Sequence, residues 1–225
     1  MKLLRSTPIT ISSGFEHVTT IRAVCFDAFG TVVEITDRRN PFKIVSEHQY
    51  HQIALWAMTR PIGIRHLANQ LDIRLSEAEI LHWQAEVEAE CASVKLRPKM
   101  RSIWNALKQA RLKIAVCSNL AAPYAQPLME ALPATPDSLV MSFQFGLMKP
   151  HKDIYSIVAS QLGLRLSQIL FVGDRLEDDI VGPTAAGASA MPIGEFETAF
   201  GSRPSIFAPP HIVRFFEQFA AATAG

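Results

Sequence analysis

A chain of 225 residues with 22 Lys and Arg against 21 Asp and Glu has a formal charge of +1, room for one full core plus a smaller insertion, and no electrostatic footprint for nucleic acid or an anionic membrane. No stretch approaches the roughly 18 apolar residues of a membrane span, and Met1–His17 puts Thr, Ser and Gly where a secretory signal needs an apolar centre. The three cysteines, Cys25, Cys91 and Cys117, lack paired spacing and two lie in apolar runs, which suits buried thiols in a reducing compartment; a soluble cytoplasmic protein is the expectation.

Taken in order, residues 1–17 show no period and are expected to form a loose arm. Ile21, Ala23, Val24 and Phe26 read as a short apolar strand running into Asp27, with Gly30 and Thr31 in the turn that follows. From about 37 to 95 the apolar spacing becomes three and four, which predicts helices broken near Pro61-Ile62-Gly63 and at Ser76, where Ser76-Glu77-Ala78-Glu79 has the pattern of a capping box. After Arg97-Pro98 strands and helices alternate. Met100–Gln109 reads as a helix, Leu112–Cys117 as a strand, Leu139–Phe143 as a short strand and Asp153–Leu162 as a helix stopped by Gly163. Ile169–Val172 is a further strand, Glu177–Ala186 a helix, Ala188–Ile193 a last strand and His211–Ala222 a closing amphipathic helix. This rhythm predicts an α/β protein, a doubly wound parallel sheet covered on both faces.

Parallel strands send their carboxyl ends to one edge, so the groups that end them should converge there. Three apolar strands end in Asp27, in Ser118-Asn119 and in Asp174, and Lys149 lies on a loop between the second and third. Any one of these is equally a cap or a surface charge; together they suggest chemistry. A carboxylate nucleophile forming a covalent intermediate that water resolves is one established route. Asp27 and Asp174 are suited to a magnesium ion, which takes one or two carboxylates plus other oxygens and leaves room for phosphate. Lys149, next to Pro150, is suited to offsetting the charge of the nucleophile and of a transferred group, to which Ser118 and Asn119 would donate hydrogen bonds.

Asp27-Ala28-Phe29-Gly30-Thr31, Ser118-Asn119, Lys149-Pro150 and Gly173-Asp174 with Asp179 resemble, in order and spacing, the four motifs of the haloacid dehalogenase-like (HAD) hydrolase superfamily. The resemblance spans about residues 21–195. It implies a Rossmann-like core, residues 18–36 and 96–225, with a helical cap at 37–95 inserted after the first core strand. It further implies that Asp27 is the nucleophile, that Thr31 and Ser118 orient the transferred group and that Lys149 stabilises charge. Magnesium would be held by Asp27, Asp174 and the Phe29 carbonyl, with Asp179 holding a metal-bound water.

One position departs from the pattern. Phosphatases of the superfamily carry a second Asp two residues after the nucleophile as general acid and base, and here that residue is Phe29. The 2-haloacid dehalogenase branch has an aromatic residue there because halide leaves without a proton, yet it works without metal and its last motif usually has Ser and Asn. The acidic final motif ranks a magnesium-dependent hydrolase of a small, anionic, phosphorylated substrate first. A metal-independent 2-haloacid dehalogenase comes second, and a weakly active or non-catalytic ligand-binding member third. Within the cap, Arg38, Arg39, Arg60 and Arg65 are candidates for an anion clamp, with at most one or two expected to face the cleft and the rest on solvated helix faces. Hinges are expected near Glu34–Asp37 and Leu96–Lys99, and the chain is expected to be a monomer or homodimer that binds neither nucleic acid nor membrane.

Overall fold

The computed structural model describes residues 20–44, 50–201 and 210–223. The arm expected at 1–17 lies outside the described residues. In chain order the elements are β1 (Ala23–Phe26), β2 (Val33–Ile35), a 3-10 turn (Pro41–Ile44), α1 (Tyr50–Thr59), α2 (Ile64–Gln70), α3 (Glu77–Ala92), β3 (Val94–Leu96) and α4 (Met100–Gln109). They continue with β4 (Lys113–Ser118), α5 (Ala125–Ala131), β5 (Ser138–Met141), α6 (Ser142–Phe145), α7 (Lys152–Leu162) and β6 (Ile169–Gly173). A π-helical turn (Leu176–Val181) leads into α8 (Gly182–Ala185), followed by β7 (Ser189–Pro192), α9 (Ile193–Gly201) and α10 (Pro210–Thr223).

Five strands form one parallel sheet in the order β5-β4-β1-β6-β7. The chain builds outward from β1 to one side through β4 and β5, then returns to add β6 and β7 on the other. The order therefore reverses beside β1, and in open α/β sheets the ligand crevice forms at such a point, beyond the strands' carboxyl ends. All four residues of β1 and all five of β6 are buried, as expected for strands covered on both faces. On one face Phe26 stacks with Trp104 of α4 at 6.5 Å between ring centroids and meets Phe196 of α9 edge-on at 5.5 Å. On the other, Cys25, Cys117 and Phe171 pack with Ile154, Tyr155 and Val158 of α7. All three cysteines are free thiols, and Cys25 and Cys117 are buried.

The helical stretch predicted after the first strand is present as α1, α2 and α3. Ser76 caps α3 as expected: its hydroxyl accepts from the Glu79 amide at 3.3 Å while the Glu79 carboxylate accepts from the Ser76 amide at 2.8 Å. The two segments expected as hinges start beside one another: Val33–Ile35 and Val94–Leu96 pair as an antiparallel ribbon in the register Val33↔Leu96 and Ile35↔Val94, which takes in Glu34, Ile35 and Leu96. Ser142 and Phe143, expected in a strand, begin α6, and α9 was not foreseen. Among the described residues no helix is long and apolar enough to cross a membrane.

Candidate functional site

Asp27 follows β1 directly, its amide donating to the Val172 carbonyl of β6 at 2.9 Å. The chain then turns back on itself: the Ala28 carbonyl accepts from the amides of Thr31, Val32 and Val33, and the Gly30 amide donates to Val33 at 2.8 Å. Gly30 has φ +91°, and a Cβ there would collide with the Asp174 carboxylate, so the turn requires a residue without a side chain. Thr31 is fully buried inside it, and its Oγ1 has no hydrogen-bond partner among the described residues. A buried orphan hydroxyl is costly unless a ligand completes it.

Lys149 is 2% exposed, which excludes a surface role. Its Nζ donates to Asp27 Oδ1 at 2.7 Å and to Asp179 Oδ1 at 2.6 Å. Carboxylate oxygens of Asp27, Asp174 and Asp179 all lie within 4.8 Å of one another. Three carboxylates thus face one ammonium. Burial, with the charges of Asp179 and Asp174 adding to it, raises the Asp27 pKa to about 6 even though Lys149 pulls it down. Burial pulls the Lys149 pKa down, but Asp27 and Asp179 outweigh it and hold the ammonium charged. The donor set is all hard oxygen and carries excess negative charge, so these residues fit a magnesium ion.

Asp179 is positioned by the π-helical turn. Its Oδ2 accepts from the Arg175 amide at 3.0 Å, its own amide donates to the Arg175 carbonyl at 2.9 Å, and the Tyr155 hydroxyl fixes the turn by donating to the Asp178 carbonyl at 2.6 Å. Gly173 lies against this carboxylate, with a Cβ there reaching 2.5 Å from Asp179 Cβ. Gly173→Ala is therefore expected to push Asp179 off Lys149, lowering turnover by about 100-fold and stability by about 1–3 kcal/mol. Steady-state kinetics beside a denaturation curve check both; wild-type turnover in the variant would mean that Asp179 need not stay where it is.

Ser118 ends β4 and is buried at the same sheet edge, since the β1–β4 register pairs Phe26 with Val116. Asn119 differs from the expectation that it donates to a transferred group. Its Nδ2 donates to the Lys149 carbonyl at 2.9 Å and its Oδ1 accepts from the Lys149 amide at 2.7 Å, so the carboxamide grips the backbone of the lysine. The Phe29 ring meets Tyr124 edge-on at 5.9 Å, forming an aromatic wall beside the Asp27 turn. The Tyr124 hydroxyl in turn donates to buried Glu90 of α3 at 3.1 Å, and Glu90 also accepts from the amides of Arg39 and Asn40, each at 2.7 Å.

The arginine clamp is corrected at Arg39 and Arg65. All four candidates are exposed; Arg39 is ion-paired with Asp37 and Glu86, and Arg65 makes a two-point contact with Glu77 at 2.6 and 2.7 Å. Arg60 stacks on Trp56 at 3.6 Å. Glu86 and Glu77, both on α3, pair with Arg39 and Arg65 across 47 and 12 positions, a competition that spacing along the chain does not reveal. Sequence reasoning also passed over Arg97, Tyr124 and Glu90, whose roles depend on contacts across 34 to 67 positions of sequence.

Comparisons with known proteins bear on the family and the fold. A ribulose-1,5-bisphosphate 5-phosphatase from Halopiger xanaduensis is 29% identical over 49% of this chain and 45% of its own length. A phosphoglycolate phosphatase from Escherichia coli K12 is 31% identical over 43% of this chain and 38% of its own. Both matches span less than half of the relatives. Among solved structures, a HAD family enzyme from Bacteroides thetaiotaomicron superposes with TM-score 0.59 at 16% identity, covering 77% of this chain and 93% of that one. An L-2-haloacid dehalogenase from Xanthobacter autotrophicus with chloropropionic acid covalently bound superposes with TM-score 0.54 at 20% identity, covering 87% of each chain. The family profile described as haloacid dehalogenase-like hydrolase matches residues 21–187, three quarters of the sequence, and the chain belongs to that family of hydrolases.

Proposed function

We propose that this hydrolase transfers the phosphoryl group of a small anionic substrate to Asp27 and then to water. The observation that carries the reading is the Lys149 ammonium bridging Asp27 and Asp179 inside a group of three carboxylates. The relatives named as phosphatases of phosphorylated sugars and acids support the substrate class.

In the proposed reaction a carboxylate oxygen of Asp27 attacks phosphorus, and the bond to the leaving oxygen breaks with its electron pair going to the leaving group. Water then attacks phosphorus, the Asp27 oxygen–phosphorus bond breaks, inorganic phosphate departs and the surplus proton passes to solvent. Lys149 holds the attacking carboxylate in place, while the buried hydroxyls of Thr31 and Ser118 are donors to phosphoryl oxygens. Asp27, Asp174, Asp179 and the Phe29 carbonyl are the proposed magnesium ligands or the holders of its water, and the cation would supply charge neutralisation on the phosphoryl oxygens. The helical insertion at 37–95 is proposed as a cap that excludes water and selects the substrate.

Phe29 sets a condition on the leaving group. With no proton donor at that position, an alkoxide departs slowly, whereas carboxylate or phenolate leaves unassisted. Acyl and aryl phosphates are therefore expected to exceed alkyl phosphates in kcat/KM by about 100- to 10,000-fold. The assay uses acetyl phosphate, p-nitrophenyl phosphate and a short alkyl phosphate, each with magnesium and with EDTA. Equal rates for alkyl and acyl substrates would remove the proposed consequence of Phe29. The same aromatic wall favours, second, hydrolysis of a 2-haloacid, since halide needs no proton. Chloride release from 2-chloropropionate without magnesium, with no phosphate release from the panel, would replace the first reading by the second. Silence in every assay would favour a ligand-binding role.

A further inference from the structure

We propose that Arg97 is a positioning residue for the nucleophile turn, an inference that rests on the reading of Asp27 as nucleophile. The turn spends its amides inwardly on Ala28 and Val33, which leaves the Gly30 and Thr31 carbonyls pointing out, and no backbone amide among the described residues reaches them. Partly buried carbonyls need a partner. One nitrogen of the Arg97 guanidinium donates to both, at 2.8 Å to Gly30 and 2.9 Å to Thr31. The second terminal nitrogen faces Glu197 of α9 at 3.4 Å, and the Arg97 amide donates to the Val32 carbonyl at 3.0 Å. Three successive carbonyls of the turn are thus held by a single residue.

The location adds a second role. Arg97 directly follows β3, which returns from the helical insertion and pairs with β2, the strand that leaves the turn. The ribbon therefore meets the Asp27 turn in two ways, covalently through β2 and through the Arg97 bonds that follow β3. Glu197 faces the guanidinium from a helix on the sheet's own side as an ion pair, so the Arg97 charge is supported from the sheet as well as from the ribbon. Thr31, whose unpartnered hydroxyl is the proposed donor to the transferred group, is the residue whose orientation depends most directly on this bond.

The experiment compares wild type, Arg97→Met and Arg97→Lys by amide hydrogen exchange and by steady-state kinetics on acetyl phosphate. Arg97→Met is expected to speed exchange of the Thr31–Val33 amides by about tenfold or more while those of β6 stay unchanged. It is expected to lower kcat by about 10- to 100-fold with KM within about twofold of wild type. Arg97→Lys, which keeps the charge but not the planar fork, should fall between in both measurements. Unchanged exchange in the turn overturns the proposal, as does loosening spread evenly over the sheet or faster local exchange with wild-type kcat. If wild type turns over no phosphoryl substrate, the functional reading fails, and the exchange measurement alone still decides whether Arg97 holds the turn.

Discussion

Asp27→Asn is expected to abolish turnover, by about 10,000-fold or more, while making the metal-free protein more stable at pH 8. The carboxyl group ionises near 4 in an unfolded chain but at about 6 in the folded one, because burial and two neighbouring carboxylates oppose its charge. Between these values the folded state keeps a proton that the unfolded state has lost. Stability therefore declines as pH rises from about 4 through about 6, and above that the ionised group costs the fold a constant amount. Asn has the same shape and leaves one acceptor oxygen for Lys149, which retains Asp179 as its counter-ion. The gain is expected to be about 1–3 kcal/mol at pH 8 and to vanish near pH 4. Urea denaturation in EDTA at the two pH values measures it. A variant less stable than wild type at pH 8 would show that the carboxylate is not held there against an opposing field.

Removing the cation should have the opposite effect on stability. Lys149→Met leaves Asp27 and Asp179, both buried, without the ammonium that bridges them. Stripping one partner from a buried charge pair costs about 3–5 kcal/mol, and here the lost partner serves two acids. Turnover is expected to fall by at least about 1,000-fold. Without Lys149 the Asp27 pKa rises further, so the folded state takes up more protons relative to the unfolded one and the loss of stability grows with pH. The variant should lie closest to wild type at pH 5 and furthest from it at pH 8, and denaturation curves at both decide the matter. An equal deficit at both values would argue for lost packing around the methylene stem in place of lost charge.

The sheet was legible because its strands are short apolar runs cut off by polar residues. Met100–Gln109 is a helix with the predicted ends, and Gly163, at φ +63°, stops α7 where its glycine predicted. That Asp27 and Asp174 end neighbouring strands at one edge followed from parallel topology. Lys149 sits on a loop and Asp179 inside a helical turn, and the place of Asp179 came with the family resemblance. What the sequence hid depends on partners remote along the chain. Glu177–Ala186 reads as one helix, yet its first part is a π-helical turn, at whose start Asp179 Oδ2 accepts from the Arg175 amide, an arrangement that side-chain spacing does not show. Val33–Ile35 and Val94–Leu96 are three residues each, too brief to show alternation, and their pairing is tertiary. Asn119 carries its amide where a substrate donor would be expected, but its reciprocal bonds go to the Lys149 peptide, thirty positions away.

The β2–β3 ribbon is, in topology, a hairpin whose loop has grown into three helices. Ile35 and Val94 are paired neighbours at its tip, so everything between them departs from and comes back to the same spot. Lengthening a loop whose ends already meet adds little entropy, roughly 0.6 kcal/mol for each doubling. Grafting a different set of helices onto that stem, or trimming it to a tight turn, would leave the sheet and its acidic edge connected as before. Such a socket lets one sheet edge accept interchangeable insertions without rebuilding the residues underneath.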